Sequence, residues 1–166
     1  MGAGKSTGGR RLAKRLKVEF LDSDDEIMKA AGCSIEDIFE LYGEAEFRAG
    51  EKRVMDRLIT EGPMVLATGG GVFMNDELRA KLLCNTITVW LKAGLDTLAE
   101  RTARRGGRPL LRTGDPRKTL EKLIQERYPV YGQADIVLNT DTETLQGAVG
   151  RIVTALKRHL KDGTQP

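Results

Sequence analysis

The sequence predicts an α/β protein: a three-layer α/β/α fold around a mostly parallel sheet. Three observations carry this expectation. Short apolar runs alternate with amphipathic helical segments along the chain. Residues 64–68 form a continuous apolar run ending in three glycines, the pattern of a buried parallel strand whose carboxyl end meets a ligand. The chain also opens on glycines that lead straight into a basic helix. A length of 166 residues suits one domain, 1–166, with excursions at about 23–60 and about 105–117.

The elements follow in order. Lys5–Leu16 carries apolar residues at helical spacing with basic residues between them, which predicts a helix opening on the glycines. A short strand is expected at 18–21. Ser34, Ile35, Glu36 and Asp37 have capping-box spacing with Asp in place of the usual Glu, and predict a short helix reaching Tyr42. A second helix spans about 44–60. After the strand at 64–68, residues 76–83 are helical in pattern and 86–91 form another strand, in which Trp90 belongs to the core. A helix at about 95–104 runs into Gly106, Gly107, Arg108 and Pro109, a glycine-flanked loop. A helix at 117–131, a strand at Ile136–Asn139 and a closing amphipathic helix at about 143–160 complete the chain.

Composition narrows the function. Apolar residues make up 40% of the chain and charged residues 31%, which excludes a disordered tail and a membrane bundle. No apolar run approaches the ~20 residues that span a bilayer, and no signal-peptide pattern is present, so a cytoplasmic protein is expected. Cys33 and Cys84 lack metal-ligand spacing and are expected as reduced thiols. His159, beside Lys157 and Arg158, is expected on a solvated helix face. The net charge of +3 is mild, and the arginines cluster near glycines and a proline without interleaved aromatics. Nucleic acid is therefore a weak candidate, and small anionic molecules fit better, since guanidinium forks bind phosphates and carboxylates bidentately.

Gly2, Ala3, Gly4, Lys5, Ser6 and Thr7 form the second half of the pattern G-x-x-x-x-G-K-[ST]. Glycines let backbone N–H groups point at phosphate oxygens, and the helix N-terminus adds its positive dipole. Lys5 is placed to reach the β- and γ-phosphates of ATP, and the Ser6 hydroxyl to bind Mg²⁺. The pattern's first glycine belongs two positions before Met1, so an upstream strand ending in Gly-x is expected.

Asp22 and Asp24 follow the strand at 18–21, and alternation is expected to send both side chains the same way, near the phosphate site. Two carboxylates can divide the labour, one holding a metal and the other positioning or deprotonating an attacking hydroxyl. On local grounds Asp22, Ser23, Asp24 and Asp25 are also an ordinary acidic helix start. Arg48 lies in a charge-rich helix where solvation is the default, and Arg127 can complement a helix dipole.

The chain resembles the shikimate kinase family over nearly its whole length. The residues that carry the resemblance are Gly2 to Thr7, Asp22-Ser23-Asp24, Phe47-Arg48 with Glu51, Gly69-Gly70-Gly71, Arg108-Pro109-Leu110-Leu111, and Arg127 with Tyr131. The resemblance implies a P-loop kinase fold and transfer of the γ-phosphoryl group of ATP to the 3-hydroxyl of shikimate, a step of aromatic amino acid biosynthesis. It implies that Asp22 takes the Mg²⁺ side through water and Asp24 the acceptor hydroxyl. Arg48 and Arg127 then pair with the acceptor's carboxylate, and Gly69, Gly70 and Gly71 leave room for its ring. Arg101 matches the position near adenine, with 139–146 expected to form the rest of that pocket. Arg108 is expected on a lid closing over the phosphates, where it would stabilise charge on the transferring group.

Lys5, Asp24 and Arg108 are thus the expected catalytic set, in a monomer acting on small molecules. Two other readings remain open: another small-metabolite kinase of this fold, such as a gluconate kinase, and a nucleotide-binding module without catalysis. The triple glycine and the spaced arginines weigh against the first.

Overall fold

The computed structural model describes residues 2–103, 115–141 and 144–162. The elements run α1 (Lys5–Leu16), β1 (Glu19–Asp22), α2 (Ser23–Ala31), α3 (Ile35–Leu58), β2 (Met64–Ala67), a short 3₁₀ turn (Val72–Met74), α4 (Asp76–Asn85), β3 (Val89–Lys92), α5 (Leu95–Ala103), α6 (Pro116–Tyr131), β4 (Ile136–Asn139) and α7 (Leu145–Asp162). They divide into two compact units, residues 13–86 and residues 1–12 with 87–166.

In the unit 13–86, β1 and β2 pair in parallel, from Glu19 opposite Met64 to Asp22 opposite Ala67. Parallel strands need a crossover, and here α2 and α3 supply it. The expected capping box at Ser34 is present: Ser34 Oγ accepts from the Asp37 N–H at 3.1 Å while an Asp37 carboxylate oxygen accepts from the Ser34 N–H at 3.2 Å. The two helices expected at 34–42 and 44–60 form α3 with a kink between them. Gly43 makes the kink with φ +79°, a conformation that a residue with a β-carbon adopts only at a cost. Ile27, Ile38, Phe47, Val54 and Leu58 form one core cluster, and Met55, Val72, Leu78 and Leu82 another. Arg57 on α3 ties α2 in place through Glu26 at 2.8 Å.

In the other unit, β3 and β4 pair in parallel from Val89 opposite Ile136 to Lys92 opposite Asn139. The core here gathers Ala93, Leu98 and Leu120, with Ala3, Leu95, Ala99 and Ile124 packed against it. Trp90 is half-buried and meets Tyr128 edge-on at 4.8 Å and Tyr131 at 5.9 Å between ring centroids, which fixes the end of α6 against β3. The Tyr128 hydroxyl donates to the Ala93 carbonyl. His159 lies exposed near the end of α7, as its basic neighbours suggested. Neither Cys33 nor Cys84 is in a disulfide.

Two local differences from the sequence reading matter for the site. The strand at 18–21 is shifted by one residue and ends at Asp22, and a helix, α2, begins at Ser23. Strand alternation therefore does not govern Asp24, which stands in the first turn of α2. Asp22 is the N-cap of that helix, with Oδ1 accepting from the Asp24 N–H at 3.2 Å. The acidic run is thus a helix start after all, and it takes that form directly at the end of a parallel strand.

Candidate active site

Candidate groups occur in both units. In the unit containing the N-terminal glycines, Gly2 and Gly4 hold φ of +71° and +83°, and α1 begins immediately after them at Lys5. Alternate left-handed residues turn successive N–H groups toward one side, and the helix start adds its positive end, so the loop presents a concavity suited to an anion. The loop is braced from behind by α5. A β-carbon on Gly2 would stand 3.1 Å from Thr102 Cγ2 and 3.4 Å from the Leu98 carbonyl oxygen. Thr102 is buried and its hydroxyl donates to the Leu98 carbonyl at 2.7 Å, which locks its methyl group toward the loop.

Arg101, on the same helix, reaches the end of β4. Its Nη2 donates to the Thr140 carbonyl at 2.7 Å and its Nη1 to Thr140 Oγ1 at 3.3 Å. Asp141 accepts from the Gly94 N–H at 2.6 Å and is held below the usual carboxylate range, first by that bond and then by Thr97. Arg101 and Asp141 thus fasten the turn after β4 to the last turn of α5 and to the residue that precedes that helix. Arg127 lies on α6 one helical turn before Tyr131. Burial pushes the Tyr131 phenol up, partly offset by the charge of Arg127 and a side-chain hydrogen bond with it. Arg108 and most of the loop at 105–117 lie outside the described residues.

The unit 13–86 brings together Asp24, Arg48, Glu51, Gly69 and Gly71. Arg48 donates from Nη1 to Glu51 Oε2 at 2.7 Å and from Nη2 to Glu44 Oε1 at 3.2 Å. The Glu51 side chain is only 4% exposed, whereas Glu44 is 68% exposed. Burial works against the charge on Arg48, but hydrogen bonding and attraction to Glu51 and Glu44 outweigh it and hold the guanidinium above its ordinary pKa. The pair is only half-buried, because the Arg48 side chain is 39% exposed, so removing one member costs less than the about 3–5 kcal/mol typical of a fully buried pair.

The glycines after β2 make room for these charges. The guanidinium of Arg48 lies against Gly71 in the space a β-carbon would fill, with Cζ 3.0 Å away. At Gly69 a β-carbon would stand 3.1 Å from Asp24 Oδ1 and 3.2 Å from Glu51 Oε1. The close approach of side chains, more than left-handed backbone, is what these two positions require. The result is an open strand end flanked by a fixed guanidinium and by carboxylates, a set able to grip a small acid and to face a hydroxyl on it.

Residue type alone assigns no role to Glu51 or Ser23. For Glu51 the signal was its spacing of three from Arg48 on a helix, which puts the two on one face. Arg127 belongs to the other unit, and the resemblance alone groups it with Arg48. Ser6 in one unit and Asp22 in the other each carry a hard oxygen, the donor type that Mg²⁺ takes from proteins.

A left-handed glycine loop at a helix start and parallel strands with charged and glycine residues at their carboxyl ends place the chain in the class of P-loop α/β kinases. Comparison with known proteins narrows the class. Residues 1–157 match the family model for shikimate kinase. Shikimate kinases from Bradyrhizobium diazoefficiens and Brucella canis are 48% and 47% identical over 160 and 161 residues, covering 96% and 97% of this chain and 77% and 80% of theirs. Among solved structures, shikimate kinase from Acinetobacter baumannii in complex with shikimate is 37% identical with a TM-score of 0.90, covering 99% of this chain and 91% of its own. The Aquifex aeolicus enzyme is 32% identical with a TM-score of 0.82, covering 96% and 93%. The chain belongs to the shikimate kinase family.

Proposed function

We propose that this protein phosphorylates the 3-hydroxyl of shikimate with ATP, and that the residues identified above carry the reaction. The observation that supports it most is the pairing of Arg48 with buried Glu51 beside Gly71. A guanidinium fixed in this way presents its fork from one direction, which suits a ring carboxylate. Arg127 supplies the second cation. Gly69 and Gly71 let Asp24, Glu51 and Arg48 draw in against the strand end, where these groups, with Gly70, face the ring.

Asp24 orients the attacking hydroxyl and accepts its proton as the bond to phosphorus forms. The glycine loop from Gly2 to Thr7 cradles the phosphates, with Lys5 on the β- and γ-groups. Ser6, and Asp22 through water, would hold Mg²⁺, which when bound neutralises charge on the phosphates. Arg101 steadies the turn after β4 and with it the adenine end. Arg108 is assigned to the transferring group by resemblance. The two units act together as one kinase domain, a reading supported by the single family match over residues 1–157. On this reading the enzyme is a cytoplasmic monomer.

The test is a coupled ATP-consumption assay with shikimate and gluconate as alternative acceptors. Turnover of shikimate is expected. Turnover of gluconate alone, or ATP binding with neither acceptor phosphorylated, would refute the proposal.

A further inference from the structure

Ser23 is fully buried, at 0% exposure, between the two carboxylate residues Asp22 and Asp24. Its Oγ accepts from the Gly69 N–H at 3.0 Å, linking residues 46 apart in sequence. The bond falls where the parallel ladder stops. Asp22 opposite Ala67 is the last register pair, and past it one chain turns into α2 while the other enters the glycines. The Gly69 N–H leaves the sheet on a strand whose neighbour has become a helix, and the serine hydroxyl receives it.

Capping does not account for this serine. The N-terminus of α2 is already capped by Asp22, whose carboxylate accepts from the Asp24 N–H. What the hydroxyl does hold is Gly69, at the point where Asp24 Oδ1 and Glu51 Oε1 both come within 3.2 Å of the missing β-carbon. One hydrogen bond therefore fixes the glycine floor to the helix turn that carries Asp24.

We propose that Ser23 is a positioning residue for phosphorylation of the acceptor, acting through Gly69 to set the floor against Asp24 and Glu51. The inference rests on the shikimate kinase reading. The hydroxyl touches no reacting atom in this role. It defines where the acceptor ring sits relative to the Asp24 carboxylate, and has no part in holding ATP.

The experiment uses the full chain with Ser23→Ala and Ser23→Cys, the second keeping nearly the side-chain volume while offering a weak acceptor. Two readouts are taken: amide hydrogen exchange at Gly69, and steady-state kinetics with each substrate varied in turn. In both variants Gly69 exchange is expected to rise about tenfold or more, because an amide that loses its buried acceptor opens more readily. The shikimate KM is expected to rise about tenfold and kcat to fall, with the ATP KM within about twofold of wild type.

Unchanged exchange at Gly69 in the folded variants overturns the role of the hydrogen bond. Faster exchange with unchanged shikimate kinetics overturns the positioning role, as does an equal rise in both KM values, which a general loss of structure would give. Wild-type protein that fails to phosphorylate shikimate overturns the functional reading instead, an outcome that Gly69 exchange in the same samples separates from failure of the Ser23 contact. Should Ser23→Ala not fold, Ser23→Cys alone decides between these results.

Discussion

The guanidinium of Arg48 occupies the space that a side chain on Gly71 would need, with Cζ and Nη2 standing 3.0 and 3.2 Å from the position of a β-carbon. Arg48 is held there by Glu51 at 2.7 Å and Glu44 at 3.2 Å, so yielding disturbs a half-buried ion pair. Gly71→Ala is therefore expected to turn the fork away from the acceptor. Truncating one partner of a buried charge pair costs about 2–5 kcal/mol or more, and displacement should cost less, so the shikimate KM should rise on the order of 10–100-fold. Kinetics with ATP varied should show an unchanged KM. Wild-type affinity for shikimate in Gly71→Ala would show that Arg48 is not the anchor.

Asp24 offers a different signature. Its carboxylate lies beside Gly69 in the first turn of α2, the proposed acceptor half of the site. Asp24→Asn retains size and hydrogen bonding but cannot take a proton, so kcat should fall about 10²–10⁴-fold, the usual share of a general base. ATP affinity, measured by calorimetry, should be retained. A variant with near-normal turnover would place the base elsewhere.

Local chemistry explains which parts of this molecule were legible in the sequence. The capping box at Ser34, the break between 42 and 44 at Gly43 and the strand at 64–68 each follow from short-range patterns, and each has its counterpart in the structure. The start of α2 was visible as an acidic run, yet its residues also carried a strand-alternation argument that the helix displaces. The glycines after β2 announced a close approach without saying of what. That Arg48 fills the space at Gly71, that Ser23 receives the Gly69 N–H and that Thr102 backs Gly2 are contacts between distant residues. A single chain of letters encodes such pairs only through the fold.

Acid sensitivity should be readable at Glu26. Its hydrogen bond from Arg57, opposed by burial and aided by the charge of Lys29, holds the carboxyl below its ordinary value of 4.5. A depressed folded pKa means that the pair's contribution is fully present above that ordinary value and is lost as the pH falls through the folded one. Glu26→Gln is thus expected to melt at a lower temperature than wild type at pH 7, with the two melting curves converging as the pH falls through the folded value. Parallel curves over the whole range would mean that Glu26 titrates as it does in the unfolded chain.

The brace behind the N-terminal glycine loop can be dissected with two substitutions. Gly2 combines φ +71° with a β-carbon position 3.1 Å from Thr102 Cγ2, so Gly2→Ala meets both backbone strain and a methyl group. The strain alone is about 1–2 kcal/mol. Thr102→Ser removes the methyl group and retains the hydroxyl that bonds to Leu98 and Ala99. Gly2→Ala should raise the ATP Kd on the order of tenfold or more while the shikimate KM stays put, since 1.4 kcal/mol is a factor of ten. Adding Thr102→Ser should recover only the steric share and leave the cost of the left-handed backbone. Complete rescue would mean that strain at Gly2 is negligible, and no rescue would mean that α5 does not set the shape of the loop.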